Sequence, residues 1–70
     1  MPARFSRLSS AARLRALRDA AGQSLDDVER GTRLHVALLR TLEHGRPITQ
    51  AQAAVLARHF SVPTAEIVNG

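Results

Sequence analysis

Whatever chemistry this chain performs has to come from its arginines and histidines. Ten basic residues stand against six acidic ones, giving a net charge of +4 and a pI near 11.6, and all ten are arginine. That balance selects a polyanion as the partner, and nucleic acid is the default one. An anionic membrane surface fits less well, because the arginines are scattered among apolar stripes rather than massed on one amphipathic helix. The twelve alanines beside them show a compositional bias that a GC-rich genome produces as readily as function does, so the choice of arginine over lysine is not itself informative. His35, His44 and His59 are too irregularly spaced for a metal site. No Ser-His-Asp arrangement, paired carboxylates or glycine-rich phosphate loop can be assembled from the remaining residues, so the chain is read as a non-enzyme without cofactor or metal. Phe60 is read as core rather than as a platform for stacked bases, since the only other aromatic is Phe5, which is expected to tuck against the first helix.

Seventy residues without repeats or low-complexity tracts make one small domain, and a chain this short buries only roughly 60% of its unfolded surface. With no cysteine, neither disulfides nor thiolate metal sites can staple it, so packing must suffice. The start, MPARFSRLSS, carries no apolar run of signal-peptide length, and nothing approaches the roughly 20 apolar residues of a membrane span. The expectation is a soluble, cytoplasmic, nucleoid-associated protein.

The elements that must position the arginines are all helical. Ala11, Leu14, Leu17 and Ala21 recur at helical spacing between Ser9 and Ala21, and Gly22 offers a left-handed stop. Ser24 reads as an N-cap, with Asp27 three residues on and Asp26 beside it, for a second helix from Leu25 to about Arg30. Gly31 and Thr32 break the pattern. A third helix starts near His35 or Val36, after about four residues, and carries Leu39 and Leu42 inward before Gly45 ends it. Thr49 and Gln52 are spaced as a capping box for a fourth helix with Ala53, Leu56, Ala57 and Phe60 on one face. A last short helix runs from Thr64 to about Val68. The reading is an all-α, compact five-helix domain over residues 9–70, preceded by a flexible basic arm, residues 1–8, with Arg4 and Arg7.

Two segments share a layout: LRALR, Leu14 to Arg18, and LRTLE, Leu39 to Glu43. Arg18 lies roughly 40° from Leu14 on the helical wheel and Glu43 roughly 40° from Leu39, so each charge borders its own apolar stripe. An Arg18–Glu43 salt bridge that fixes the docking of the third helix on the first is therefore predicted. The alternative is that each long side chain extends separately to water.

Opposite Leu39 and Leu42, the third helix presents Ala37, Arg40, Thr41 and His44, with Val36 and Leu38 at the margins. Val36, Ala37 and Leu38 exceed what a docked helix needs. From Leu14 to Val68 the chain resembles the Cro and lambda-repressor type, or XRE-like, helix-turn-helix family. The run LRALRDAAGQSLDDVERGTRLHVALLRTLEHG carries the likeness, followed by a proline-containing loop and AVLARHFSVPTAEIV. The resemblance implies that the second and third helices form the helix-turn-helix, that the third enters the major groove of DNA, and that the first helix's arginine pairs with the third's glutamate. By position it implies base contacts from Val36, Ala37, Arg40 and Thr41, and backbone contacts near Ser24, Arg33, His35, His44 and Arg46. The chain departs from the family at the turn, where Gly31 and Arg33 leave no glycine at the centre. It departs again at Val36 and Ala37, which can touch thymine methyls but cannot hydrogen-bond a base edge, so direct readout rests mainly on Arg40 and Thr41.

The expected activity is that of a sequence-directed, repressor-like transcriptional regulator on double-stranded DNA, with Arg4 and Arg7 in a mobile arm. Helix-turn-helix proteins usually act as dimers on half-sites roughly 34 Å apart. A homodimer here would use the region of the fourth and fifth helices around Val62 to Val68. The rival reading is a protein-interaction module. TRLHVALLRTLEHG also resembles a subgroup that grips another protein, with a bulky residue where this chain has Leu38, and an exposed apolar edge of Val36 and Leu38 would suit a protein partner.

Overall fold

The computed structural model describes residues 9–68, which form five helices: α1 (Ser10–Ala20), α2 (Leu25–Thr32), α3 (Val36–Glu43), α4 (Gln50–Phe60) and α5 (Thr64–Val68). Three of the N-termini are closed by side-chain caps of the expected kind. Ser9 accepts a hydrogen bond from the Ala12 N–H, and Ser24 with Asp27 and Thr49 with Gln52 form reciprocal capping boxes. Each such cap contributes about 1 kcal/mol by satisfying N–H groups that the helix itself cannot. Gly22 and Gly45 follow α1 and α3 at φ +68° and +113°. Their left-handed turns let Gln23 N–H reach the Arg18 carbonyl at 3.1 Å and Arg46 N–H the Thr41 carbonyl at 3.0 Å, closing both helices in Schellman fashion.

The core is one cluster to which every helix contributes: Leu14, Val28, Leu39 and Leu42, Ala53, Leu56 and Ala57, and Ile67. Short connections keep α2 and α3 adjacent, with α3 also against α1 and α4 against both α2 and α5. Truncating a fully buried leucine in so small a core, such as Leu42 or Leu56, would cost about 2–5 kcal/mol. The ends of the described chain meet. The Ser10 hydroxyl donates to the Val68 carbonyl at 3.3 Å, and the Arg13 guanidinium donates to the Ile67 carbonyl at 3.3 Å. Arg13 is buried, with its Nε–H unpaired among the described residues. It serves as a cationic cap on the carbonyl end of α5, where the helix dipole favours positive charge.

One boundary differs from the sequence expectation. Gly31 and Thr32 do not break α2; the helix runs through both, and only Arg33 to His35 connect it to α3. Two tertiary circumstances account for this. The imidazole of His59 lies over Gly31, where a β-carbon would collide with it, so glycine here serves close approach of α4. Thr32 is buried, and its hydroxyl donates to the Val28 carbonyl at 2.7 Å while accepting from Leu34 N–H at 3.1 Å, so the residue belongs both to the last turn and to the exit.

Candidate nucleic-acid interface

The connection between α2 and α3 turns on a residue that is not glycine. Arg33 adopts the left-handed conformation (φ 65°, ψ 13°), and its N–H donates to the Glu29 carbonyl at 2.6 Å. That conformation costs a residue with a β-carbon roughly 1–2 kcal/mol. Leu34 then packs against the core and pins the turn. The result is two short helices joined by three residues, with the Arg33 side chain exposed at the bend.

α3 begins at a cap that composition does not suggest. His35 occupies the N-cap, and its Nδ1 accepts from the Ala37 N–H at 3.0 Å. Accepting there leaves the ring proton on Nε2, a donor on the far side of an exposed imidazole. The C-terminal end of α3 is fixed from α1. Arg18 Nε donates to Glu43 Oε2 at 2.7 Å and Nη2 to Oε1 at 3.1 Å, while Nη1 donates to the Gln23 carbonyl at 3.0 Å. Hydrogen bonding to Glu43 holds the Arg18 guanidinium above its ordinary pKa, burial opposes that shift, and the charges of Glu43 and Asp19 add to it. A two-point contact of this kind fixes an angle as well as a distance.

Held at both ends, α3 turns Ala37, Arg40, Thr41 and His44 outward, all exposed, with Val36 half-buried at the margin. Arg40 has no carboxylate within ion-pair distance among the described residues, and neither do Arg33 and Arg46. The Thr41 hydroxyl donates to the Leu38 carbonyl at 2.7 Å, so toward solvent it offers a lone pair and a methyl group rather than a proton. Arg46 is exposed in the loop after α3 and lines the same surface depression as Ser9 and Ser10 at the start of α1. Arg4 and Arg7, with Phe5, lie outside the described residues.

Ser24 is less available than its neighbours. Its N–H donates to Asp27 Oδ2 at 2.9 Å and its hydroxyl oxygen accepts from Asp27 N–H at 3.1 Å. Hydrogen bonding from the Ser24 backbone and then from its side chain holds the Asp27 carboxyl below its usual range, with desolvation opposing the shift and Arg30 adding to it. With Asp26 also in the first turn, the N-terminus of α2 already carries negative charge.

One expectation requires correction. Val36 and Leu38 do not form an exposed apolar edge: both are half-buried, and Leu38 packs against the core. α3 is flanked by α1 and α2 together, so its covered arc is wider than the single stripe of Leu39 and Leu42. The large apolar side chain open to solvent among the described residues is Val55 on α4, at 39% exposure. In the segment from Val62 to Val68 the larger apolar side chains turn toward the core. Ile67 is fully buried and Val62 and Val68 pack on the core, leaving Ser61, Pro63 and Ala65 exposed.

An all-α domain whose second and third helices meet at a tight bend, with one face of the third held clear, is a helix-turn-helix module. A family model described as a helix-turn-helix domain matches residues 11–68, and the chain belongs to that family, which is of the XRE/Cro-like type. No curated protein and no solved structure matches the chain. Membership points to DNA binding as the general activity. No described helix is long and apolar enough to cross a membrane.

Proposed function

We propose that the protein is a sequence-directed DNA-binding regulator, repressor-like in that it occupies its site on double-stranded DNA, and that α3 is the element placed in the major groove. The observation that carries this reading is the outward face of α3, where Arg40, without an acidic partner among the described residues, stands among small side chains on a helix anchored at both ends. In this reading Arg40 and Thr41 meet base edges, and Val36 and Ala37 lie against the groove floor. The His35 Nε2–H, Arg33, His44 and Arg46 meet phosphates on either side. Ser24 contributes through its hydroxyl alone. In the same reading Arg4 and Arg7 add phosphate contacts. The setting is cytoplasmic, on the nucleoid.

Two copies on adjacent half-sites would pair through the α4 and α5 region around Val62 to Val68, where Pro63 and Ala65 are exposed.

The test is a salt titration of binding to random duplex DNA, with Arg40→Ala and Arg46→Ala alongside the parent protein. Affinity should fall steeply as salt rises, and removing Arg46 should lower the logarithmic slope by about one. Absence of binding at low salt refutes the proposal.

A further inference from the structure

We propose that α3 reads a guanine together with a nearby pyrimidine bearing a 5-methyl group, so that the preferred site depends on a methyl in the major groove; this rests on the groove-docking reading above. The outward face offers a small and definite set of groups. Arg40 is the one exposed side chain in the middle of α3 with several uncommitted donors, and the forked guanidinium matches the two acceptors, O6 and N7, that only guanine presents together. Thr41 cannot compete for that role, because its proton is already given to the Leu38 carbonyl. Ala37, one turn before Arg40, is exposed, its side chain has no polar atom, and its backbone N–H already donates to His35 Nδ1. It can distinguish bases only by contact with a methyl group.

Spacing places the two contacts close together. Three residues advance a helix by roughly 4.5 Å, little more than the roughly 3.4 Å between stacked base pairs, so a helix lying along the groove sets Ala37 and Arg40 over neighbouring pairs. Thymine and 5-methylcytosine present the same methyl group in the same position. The chemistry recognised is therefore a 5-methylpyrimidine within a step or two of guanine, and either base can supply it.

The experiment begins by selecting tight-binding duplexes from a random pool with the whole protein, then replaces single bases in the selected duplex. Altering the DNA leaves the protein's fold untouched. Substituting 7-deazaguanine for the contacted guanine should weaken binding on the order of tenfold, and this penalty should vanish in Arg40→Ala. Where the pyrimidine is thymine, replacing it with uracil should weaken binding about fourfold, the worth of one methyl group removed from water. Where it is cytosine, adding the 5-methyl group should strengthen binding by the same factor, which separates the two sources. Ala37→Ser should abolish the methyl effect in either case. Binding to random duplex that persists while every selected duplex ignores both replacements overturns this inference and leaves the groove reading standing. No binding to any duplex overturns both.

Discussion

Arg18 on α1 holds both carboxylate oxygens of Glu43, the last residue of α3, at 2.7 and 3.1 Å, with the two side chains 16% and 8% exposed. α3 is thereby oriented by α1. Removing either partner strands a nearly buried charge, so Arg18→Ala and Glu43→Ala should each destabilise the fold by about 2–4 kcal/mol. Chemical denaturation of the two single variants and the double variant should reveal a coupling of at least about 1 kcal/mol. Arg18→Lys should recover only part, because an ammonium cannot make the paired contact. Strictly additive losses would mean that the pair does not act as a unit.

Arg33 holds a left-handed turn in which glycine is unstrained, and among the described residues its exposed guanidinium has no ion-pair partner. Arg33→Gly should raise stability by about 0.5–1 kcal/mol, the relief of β-carbon strain less the greater freedom of glycine in the unfolded chain. The same substitution should weaken binding to random DNA and reduce its salt slope by about one. Thermal melts and a salt titration on one preparation should thus move in opposite directions. A loss of stability would contradict the strain assigned to the turn.

The His59 ring, whose Nε2 lies 2.7 Å from the Gln23 side-chain oxygen, stands where a β-carbon on Gly31 would go. Alanine normally stabilises a helix interior by about 1 kcal/mol over glycine. At this position it must displace the imidazole, so Gly31→Ala should give little or no gain in the parent protein. In a His59→Ala background the full gain of about 1 kcal/mol should return. Equal effects in both backgrounds would show that the ring yields freely.

The hydrogen bonds from Ser24 hold the folded Asp27 carboxyl below its unfolded pKa. A group depressed in this way stabilises the fold above the unfolded pKa, near 3.9, and the contribution disappears as pH falls through the lower folded value. Thermal melts between pH 6 and pH 2 should show a larger acid loss for the parent than for Asp27→Asn. Parallel curves would remove the capping carboxylate from the acid response.

What the sequence makes legible is what neighbouring residues settle among themselves. Ser9, Ser24 and Thr49 announce helix starts because each cap is completed within three residues, and Gly22 and Gly45 announce stops for the same local reason. The end of α2 is different. Gly31 looks like a breaker until His59 is known to rest on it, and no local pattern carries that fact. His35 was visible as a candidate contact but not as a cap, since histidine is not among the side chains that usually close a helix. Arg13 shows a signal left unused. It stands roughly 40° from Leu17 on the wheel, as close to the apolar stripe as Arg18 is to Leu14, so the reasoning that singled out one arginine applies to the other. Its partner is a backbone carbonyl at the far end of the described chain, which side-chain types alone do not advertise. Leu38 is covered for a reason a single apolar stripe does not express: α1 and α2 together cover two sides of α3.

The contact of Ser10 with the Val68 carbonyl brings the entry and exit of the folded unit to a single spot on its surface. Two copies joined in tandem would therefore need to bridge little more than the separation between their docking positions. An extended linker advances at most about 3.3–3.6 Å per residue, so about a dozen residues would span the roughly 34 Å between successive faces of a duplex. A single-chain repeat of this domain can thus be built without recutting the fold, and its avidity would report directly on how far apart two such modules sit on DNA.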